Sequence, residues 1–342
     1  MPGIDFIAPM EAKLVTEFPS EQGWQFEPKW DGFRSIAIKD GKDVRLFAKS
    51  GKDLGRYFPE VLALISDLPG KRFVLDGELL VTIDGKASFD DLQQRLHPAE
   101  SRIRELSKET PALLVVFDLL AEGKEDLSGR PLSERRERLE KIIAGLPEGL
   151  GLRLSPRAED REEARGWFEN LSQELDGIIC KRLDQPYRSG ERAMLKVKRI
   201  RTADCVVGGF RYGAGSNEVG SLLLGLFNEA GKLDHVGFTS AIANKDKPAL
   251  TKKLERLTGG EGFTGKAPGG PSRWSTERSS EWVPLRQELV VEVAYDQITG
   301  DRFRHGTRLV RWRPDKAPEQ CRRDQMAEAV DPDAVIMSVV AR

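Results

Sequence analysis

The chain reads as an α+β protein in two parts, and three observations predict this. Over roughly the first 200 residues, apolar strand-like runs alternate with segments of helical spacing, and Asp-Gly or Pro-Gly turn signals punctuate them. After Lys198 the apolar runs become shorter and carry glycines. One helical segment then interrupts those short runs, which is the pattern of a small closed barrel of the OB-fold type. The boundary falls at about residue 200, giving a strand-and-helix domain over 1–200 and a barrel domain over 201–342.

The elements follow in order. Residues 24–28 and 35–39 read as strands, and Asp40-Gly41 turns the second into Val44-Arg45-Leu46-Phe47. The polar loop Lys49-Ser50-Gly51-Lys52 precedes helical spacing from Phe58 to Leu68, which stops at Pro69-Gly70. The stretch from Phe73 to Val81 is a strand with acids in its middle. Asp84-Gly85 leads from it to Ser88, a helix N-cap with Asp91 three residues on. Leu113 to Leu120 is a buried strand, wholly apolar except for Asp118. A charged helix begins near Ser133, and Glu134, Arg135, Arg136 and Glu137 are expected to solvate its outer face. Another helix is predicted over 160–174. Asp176 to Lys181 and Met194 to Lys198 are strands, and alternation puts Lys196 and Lys198 on one face. In the second part, strands are predicted at 206–210, 222–226, 236–238, 289–295 and 308–313, with a helix at about 245–257 and a Gly/Pro-rich loop at 259–271.

Composition narrows the function classes. With 39% hydrophobic and 32% charged residues, the chain is globular rather than disordered. The formal net charge is -1, so any nucleic-acid surface must be a local patch balanced by acid elsewhere. Cys180, Cys205 and Cys321 are scattered and accompanied by only three histidines, which indicates neither a disulfide framework nor a zinc knuckle. The start is not that of a signal peptide, and no apolar run approaches membrane-spanning length. The expectation is a reducing, cytoplasmic compartment with no membrane partner.

Chemistry is suggested by Glu78, Asp118, Asp176, Lys196 and Lys198, which break otherwise apolar strands. A buried charge without a partner is costly, so each must either face a cavity or be paired. Carboxylates and lysines recurring in this way suit a polyphosphate bound with a divalent metal. No Gly-x-x-x-x-Gly-Lys-Ser/Thr loop is present, so the phosphates would not lie in a P-loop. Lys29 lies in Glu27-Pro28-Lys29-Trp30-Asp31-Gly32-Phe33-Arg34, where the Asp-Gly turn signal would hold it at a bend and let it reach into a pocket. By itself such a lysine reads as a surface residue; the rest of the chain changes that.

The order of these pieces resembles the covalent nucleotidyltransferases, namely ATP-dependent DNA ligases, RNA ligases and mRNA capping enzymes. Lys29-Trp30-Asp31-Gly32 with Arg34 matches their Lys-x-Asp-Gly signature, and Asp76-Gly77-Glu78 their next acidic element. Phe117-Asp118 matches the aromatic position, Asp176-Gly177-Ile178-Ile179-Cys180-Lys181 the fourth element, and Lys196-Val197-Lys198 the fifth. Arg311-Trp312-Arg313-Pro314-Asp315-Lys316 matches the Arg-x-Asp-Lys element of the second domain. Six elements in family order cover nearly all of the chain. Their detail is most similar to the bacterial end-joining-type DNA ligases, and among these to the stand-alone C-type enzymes of mycobacteria. Three positions depart from the family pattern: Asp176 stands where glutamate is usual, Lys49 where arginine is usual, and Met194 where an aromatic is common.

The resemblance implies a nucleotidyltransferase (adenylation) domain with antiparallel sheets and flanking helices, followed by an OB-fold β-barrel. The chain would be the bare catalytic core. It implies an ATP-dependent DNA ligase of DNA repair that seals nicks in double-stranded DNA through AMP attached to Lys29, with Mg²⁺ or Mn²⁺. Lys29, Asp31, Lys196 and Lys198 would be catalytic, and neighbouring cations would lower the Lys29 pKa. Glu27 would line the adenine pocket and Phe117 would stack on the base. Arg34 and Lys49 would contact ribose or phosphate, and Arg192 would approach phosphate. Glu78 would touch the ribose or a metal, and Asp176 would hold metal. Asp315 and Lys316 would orient the pyrophosphate leaving group. Arg302, Arg304, Arg308, Arg311 and Arg313 form the candidate DNA patch, with Arg311 and Arg313 on one barrel face. A monomer recruited by other repair proteins and working at the nucleoid is implied. An RNA ligase or capping-type enzyme is the alternative, followed by a non-catalytic nucleic-acid-binding scaffold.

Overall fold

The computed structural model describes residues 4–147, 150–170, 176–198, 201–269, 281–299 and 301–326. The chain divides into two compact units, one within Met1–Arg199 and the other Ile200–Ala327.

Two sheets build the first unit. In the larger, Asp43–Ala48, Phe33–Asp40, Arg72–Ile83 and Ala112–Glu122 pair antiparallel in that order, and Leu152–Leu154 adds in parallel. Phe58 and the apolar stripe of the helix Pro59–Asp67 pack with Ala37, Leu75, Leu79 and Leu114 in its core. The Asp84-Gly85 turn closes a short hairpin with Thr82 opposite Ala87. Ser88 caps the following helix, its Oγ accepting the Asp91 N–H at 3.3 Å.

The smaller sheet runs Ala12–Val15, Met194–Lys198, Gly177–Arg182, Trp24–Pro28, with only the first pair parallel. Alternation gives it two characters. Phe26, Ile178, Cys180 and Val197 join a buried cluster with Trp167 of the helix Arg161–Asn170. The opposite face brings Glu27, Ile179 and Lys196 side by side, since Ile179 is the register partner of both others. The last positions of the helix expected over 160–174 lie outside the described residues.

One expectation is corrected. Arg135 and Arg136 of the helix Leu132–Ala144 do not solvate an outer face; both are buried. Arg135 grips Asp118 through Nε at 2.8 Å and Nη2 at 2.9 Å, and donates to the Arg130 carbonyl at 2.6 Å. Arg136 reaches Glu140 at 2.9 Å and the Ser155 carbonyl. The acid in the middle of Ala112–Glu122 is the cause, because a fully buried carboxylate draws its counter-charge inward from the nearest helix. Asp118 is therefore paired rather than turned to a cavity.

The second unit is built on a six-stranded sheet: Leu233–Thr239, Val219–Phe227, Arg201–Tyr212, Val290–Tyr295 and Arg308–Trp312 follow in that order, and the short strand Val283–Pro284 also pairs with Arg201–Tyr212. A parallel bridge between Thr239 and Thr307 joins its ends, with the Thr239 hydroxyl donating to the Thr307 carbonyl at 2.8 Å. The helix Lys247–Glu255 sits between the third and fourth of these strands in sequence, giving the OB-type plan. Phe210, Leu222, Leu224 and Val291 lie in its core, fully buried. The final two positions of the 259–271 loop lie outside the described residues. All three cysteines are free thiols and fully buried, and burial pushes Cys180 up to about 12. No helix among the described residues is long and apolar enough to cross a membrane.

Removing one partner of the Asp118–Arg135 pair strands a buried charge. Arg135→Ala is expected to destabilise the first unit by about 3–5 kcal/mol, read as the shift in urea midpoint at unchanged m. Arg135→Met combined with Asp118→Leu should restore part of that loss.

Candidate active site

The site grows from the end of the Trp24–Pro28 strand. The Lys29 N–H donates to the Gly177 carbonyl at 2.9 Å, so backbone pairing runs up to the lysine itself. Both Asp-Gly pairs next to it are required by close backbone approach. A Cβ on Gly32 would lie 2.0 Å from the Leu79 carbonyl oxygen, and one on Gly177 2.2 Å from that of Val197. The Gly32 N–H also donates to Glu78 Oε1 at 3.1 Å, which ties the Lys29 loop to the larger sheet.

A pocket opens beside this junction. Among the residues expected from sequence, Glu27, Lys29, Arg34, Lys49, Glu78, Phe117 and Lys196 line it. Asp176 and Lys198 stand behind the lysine, with Asp176 Oδ2 2.6 Å from Lys29 Nζ and 3.6 Å from Lys198 Nζ. Asp31 acts on Lys29 through its charge. Arg192 is largely exposed, is not among the lining residues, and lies 3.5 Å from Glu11.

The electrostatics correct the expectation for Lys29. Burial pulls its pKa down, but the contact and charge of Asp176, together with Asp31 and Glu78, outweigh burial and leave it raised. Free of ligand, the amine is therefore held as ammonium by acids rather than activated by cations. The lowered lysine is Lys196, through burial first and then the charges of Lys198, Lys29, Lys49 and Arg192. Burial lifts Glu78 to about 7, with Arg34 and Lys29 opposing.

Sequence reasoning missed several members of the pocket wall. Lys181, fully buried, pairs with Glu27 at 2.8 Å, while Gln25 donates to Glu27 at 2.6 Å. Two cations flank the expected aromatic: Arg34 Cζ lies 4.5 Å from the Phe117 ring centroid and Lys181 Nζ 4.4 Å. Arg34 is itself forked onto Asp76 at 2.6 and 2.7 Å, and the Tyr187 hydroxyl donates to Asp76 at 2.6 Å while accepting the Met10 N–H at 2.9 Å. The signal for Lys181 was present: it is two residues beyond Ile179 and so shares that strand's pocket face. Asp76 was passed over in favour of Glu78 on the same strand. Glu11, 2.8 Å from Lys49, had no signal.

Among the described residues no three Asp, Glu, His or Cys side chains cluster to enclose a metal by themselves. Asp176 and Glu78 nevertheless offer hard oxygen donors at Lys29. That fits an ion held by one or two carboxylates and completed by substrate phosphates.

The remaining candidates lie in the second unit. Arg313 donates to both oxygens of Asp204 at 2.9 Å and to Asp315 at 2.8 Å, and Lys316 meets Asp204 at 2.8 Å. Arg311 pairs with Glu292 at 2.6 Å. Asp204 and Glu292 are register partners, so Arg311 and Arg313 engage acids on adjoining strands. Arg302 donates to His235 Nδ1 at 2.9 Å; burial drives that ring's pKa down to about 3, leaving it neutral. Arg304 bonds Gln297 at 3.0 Å, and Arg308 is exposed.

The first unit is an adenylation domain and the second an OB-type barrel, the two-domain plan of covalent nucleotidyltransferases. Residues 9–198 match the ATP dependent DNA ligase domain and residues 215–316 the ATP dependent DNA ligase C terminal region. The chain belongs to the ATP-dependent DNA ligase family. It is 43% identical over 331 residues to DNA ligase C1 of Mycolicibacterium smegmatis, covering 94% of this chain and 93% of that one. To DNA ligase C of Mycobacterium tuberculosis it is 41% identical over 338 residues, covering 94% of each. A solved structure of a Lig E DNA ligase shares the fold, with a TM-score of 0.55 at 16% identity over 89% of this chain and 99% of that chain.

The acids around Lys29 make a direct prediction. Competitive acetylation of the ligand-free enzyme, read by mass spectrometry across pH, should show Lys29 titrating above the ordinary lysine value. Asp176→Asn should bring that titration down. An unchanged Lys29 profile in the variant would show that Asp176 does not hold the proton.

Proposed function

We propose that this ligase seals 5′-phosphate/3′-hydroxyl nicks in double-stranded DNA through a lysyl-AMP intermediate. In the first step the neutral Lys29 amine attacks the α-phosphorus of ATP. An N–P bond forms, the bond to the β-phosphate bridging oxygen breaks, pyrophosphate departs and the amine proton is lost to solvent. An oxygen of the 5′-phosphate at the nick then attacks the adenylate phosphorus, a P–O bond forms, the Lys29 N–P bond breaks and the amine leaves with a proton taken from solvent. The 3′-hydroxyl attacks that phosphate, completing the phosphodiester and releasing AMP.

Lys196 and Lys198 take the α-phosphate oxygens, and their charge works against the ammonium form of Lys29. Asp31, Asp176 and Glu78 favour that form, so the proton must leave before attack. Asp176 and Glu78 are the carboxylates that would hold a divalent ion, Mg²⁺ or Mn²⁺, which when bound supplies positive charge to the phosphates. Glu27 accepts from the exocyclic amine of adenine, beside the Phe117 ring. Arg34 and Lys49, which line the pocket, serve ribose and phosphate, and the exposed Arg192 meets phosphate from outside that lining. Asp315 and Lys316 serve the pyrophosphate leaving group. The exposed Arg308 and Arg311, with Arg302 and Arg304, contact DNA phosphates without reading sequence. The enzyme works as a monomer on nucleoid DNA, recruited by other repair proteins.

The observation that carries this reading is Lys29 Nζ, 2.6 Å from Asp176, in a pocket that Glu27, Glu78, Phe117 and Lys196 share. The test is incubation with labelled ATP or GTP and Mg²⁺ or Mn²⁺, followed by nicked DNA or nicked RNA. Lys29→Ala should abolish the covalent label; label persisting at another residue overturns the assignment. Labelling by GTP alone would favour a capping activity. Sealing confined to nicked RNA would favour an RNA ligase.

Glu78 adds a pH dependence. Its pKa in the fold, about 7, lies above the ordinary carboxylate value. The folded state therefore binds its proton more tightly, and the associated stability is fully present below about pH 4.5 and lost as pH rises through about 7. Thermal midpoints of the ligand-free enzyme should fall over that window by more than those of Glu78→Gln.

A further inference from the structure

Asp204 lies in the Arg201–Tyr212 strand within an unbroken buried run, where a lone carboxylate would be costly. Its two oxygens are taken by Arg313 Nη1, at 2.9 Å each, and by Lys316 Nζ at 2.8 Å. Both partners come from the one segment of the second unit that sequence singled out for chemistry. Gln325 locks the same backbone position, its Oε1 accepting the Asp204 N–H at 3.0 Å and its Nε2 donating to the Asp204 carbonyl at 3.3 Å.

The two cations are not used alike. Arg313 spends Nη1 on Asp204 and both Nε and Nη2 on Asp315, so every edge of the guanidinium is engaged within the cluster. Lys316 spends one contact on Asp204, while an ammonium has three donors. Among the described residues its other two N–H groups meet no acceptor and face an incoming anion, with the nitrogen fixed in place by a carboxylate beneath it. Arg313 acts as a brace holding Asp315, rather than as a free DNA contact.

We infer that Asp204 is a positioning residue for the first step of the reaction, holding Lys316 in the geometry from which it meets the departing pyrophosphate. The inference rests on the reading that Lys316 serves that leaving group. Without Asp204, two neighbouring cations lose their shared counter-charge, repel one another, and the lysine samples its rotamers freely.

The test uses the full chain and separates the steps. Self-adenylylation is followed at several ATP concentrations, and sealing is followed in single turnover on pre-adenylylated nicked DNA. Asp204→Asn should slow self-adenylylation by about tenfold to a hundredfold, the scale of one lost charge-assisted hydrogen bond. Sealing of pre-adenylylated DNA in the same preparation should stay within about twofold of wild type, which also reports correct folding. Asp204→Glu should recover part of the loss. Asp204→Asn added to Lys316→Ala should slow the first step no further than Lys316→Ala alone. Equal loss in both steps would make Asp204 a structural brace only and overturn the inference. So would a first step left unchanged or accelerated, or the same loss on the Lys316→Ala background; in these cases the leaving-group reading of Lys316 stands. A Lys316→Ala enzyme with a wild-type first step would remove that reading, and the role of Asp204 with it.

Discussion

The contact between Lys29 and Asp176 is the constraint around which the first unit is arranged. For it to exist, the strand that ends at Pro28 must hand its pairing on to Gly177, and Val197 must pass so close that no side chain fits at that glycine. Those requirements fix the register of three strands at once. The same register sets Glu27, Ile179 and Lys196 abreast, so one backbone alignment places the acid and the lysine of the pocket wall together. The cost is chemical. The acid that seats the amine also favours its protonated form, so the ligand-free enzyme holds Lys29 as ammonium.

Around that lysine the pocket wall consists of polar pairs that answer one another. Glu27 has Lys181, Arg34 has Asp76, and Asp76 has Tyr187. A charge buried with its partner and further hydrogen bonds is held in one rotamer, which is how a binding surface is set before its ligand arrives. Phe117 illustrates the point, since its ring meets guanidinium and ammonium groups that are themselves anchored from behind.

Local pattern carried far. Strands with Asp-Gly turns, the Ser88 cap and the two lysines on one face of Met194–Lys198 all follow from short-range chemistry, and each lies where its residues indicate. What stayed hidden depends on distant partners. Ala12–Val15 pairs in parallel with a strand some 180 residues away, and nothing within four residues announces such pairing. Arg135 and Arg136 look like the polar face of a surface helix until the acid at Asp118 is found beneath them. The direction of the Lys29 shift also escaped, because the sequence supplies both acids and cations to the site and only their distances in the fold decide which prevails. Asp204 interrupts an apolar run as Asp118 does, yet its meaning emerges only from the arginine and lysine more than a hundred residues later that close upon it.

The burial of every sulfhydryl in the chain has a practical corollary. With Cys180, Cys205 and Cys321 all inaccessible and each thiol pushed above its usual range, the native enzyme presents no ready target for maleimide dyes. A single cysteine placed on an exposed position of either unit would thus accept a fluorophore selectively. A pair, one on each unit, would allow energy-transfer measurement of the separation between units through a catalytic cycle without first stripping the protein of its own sulfur.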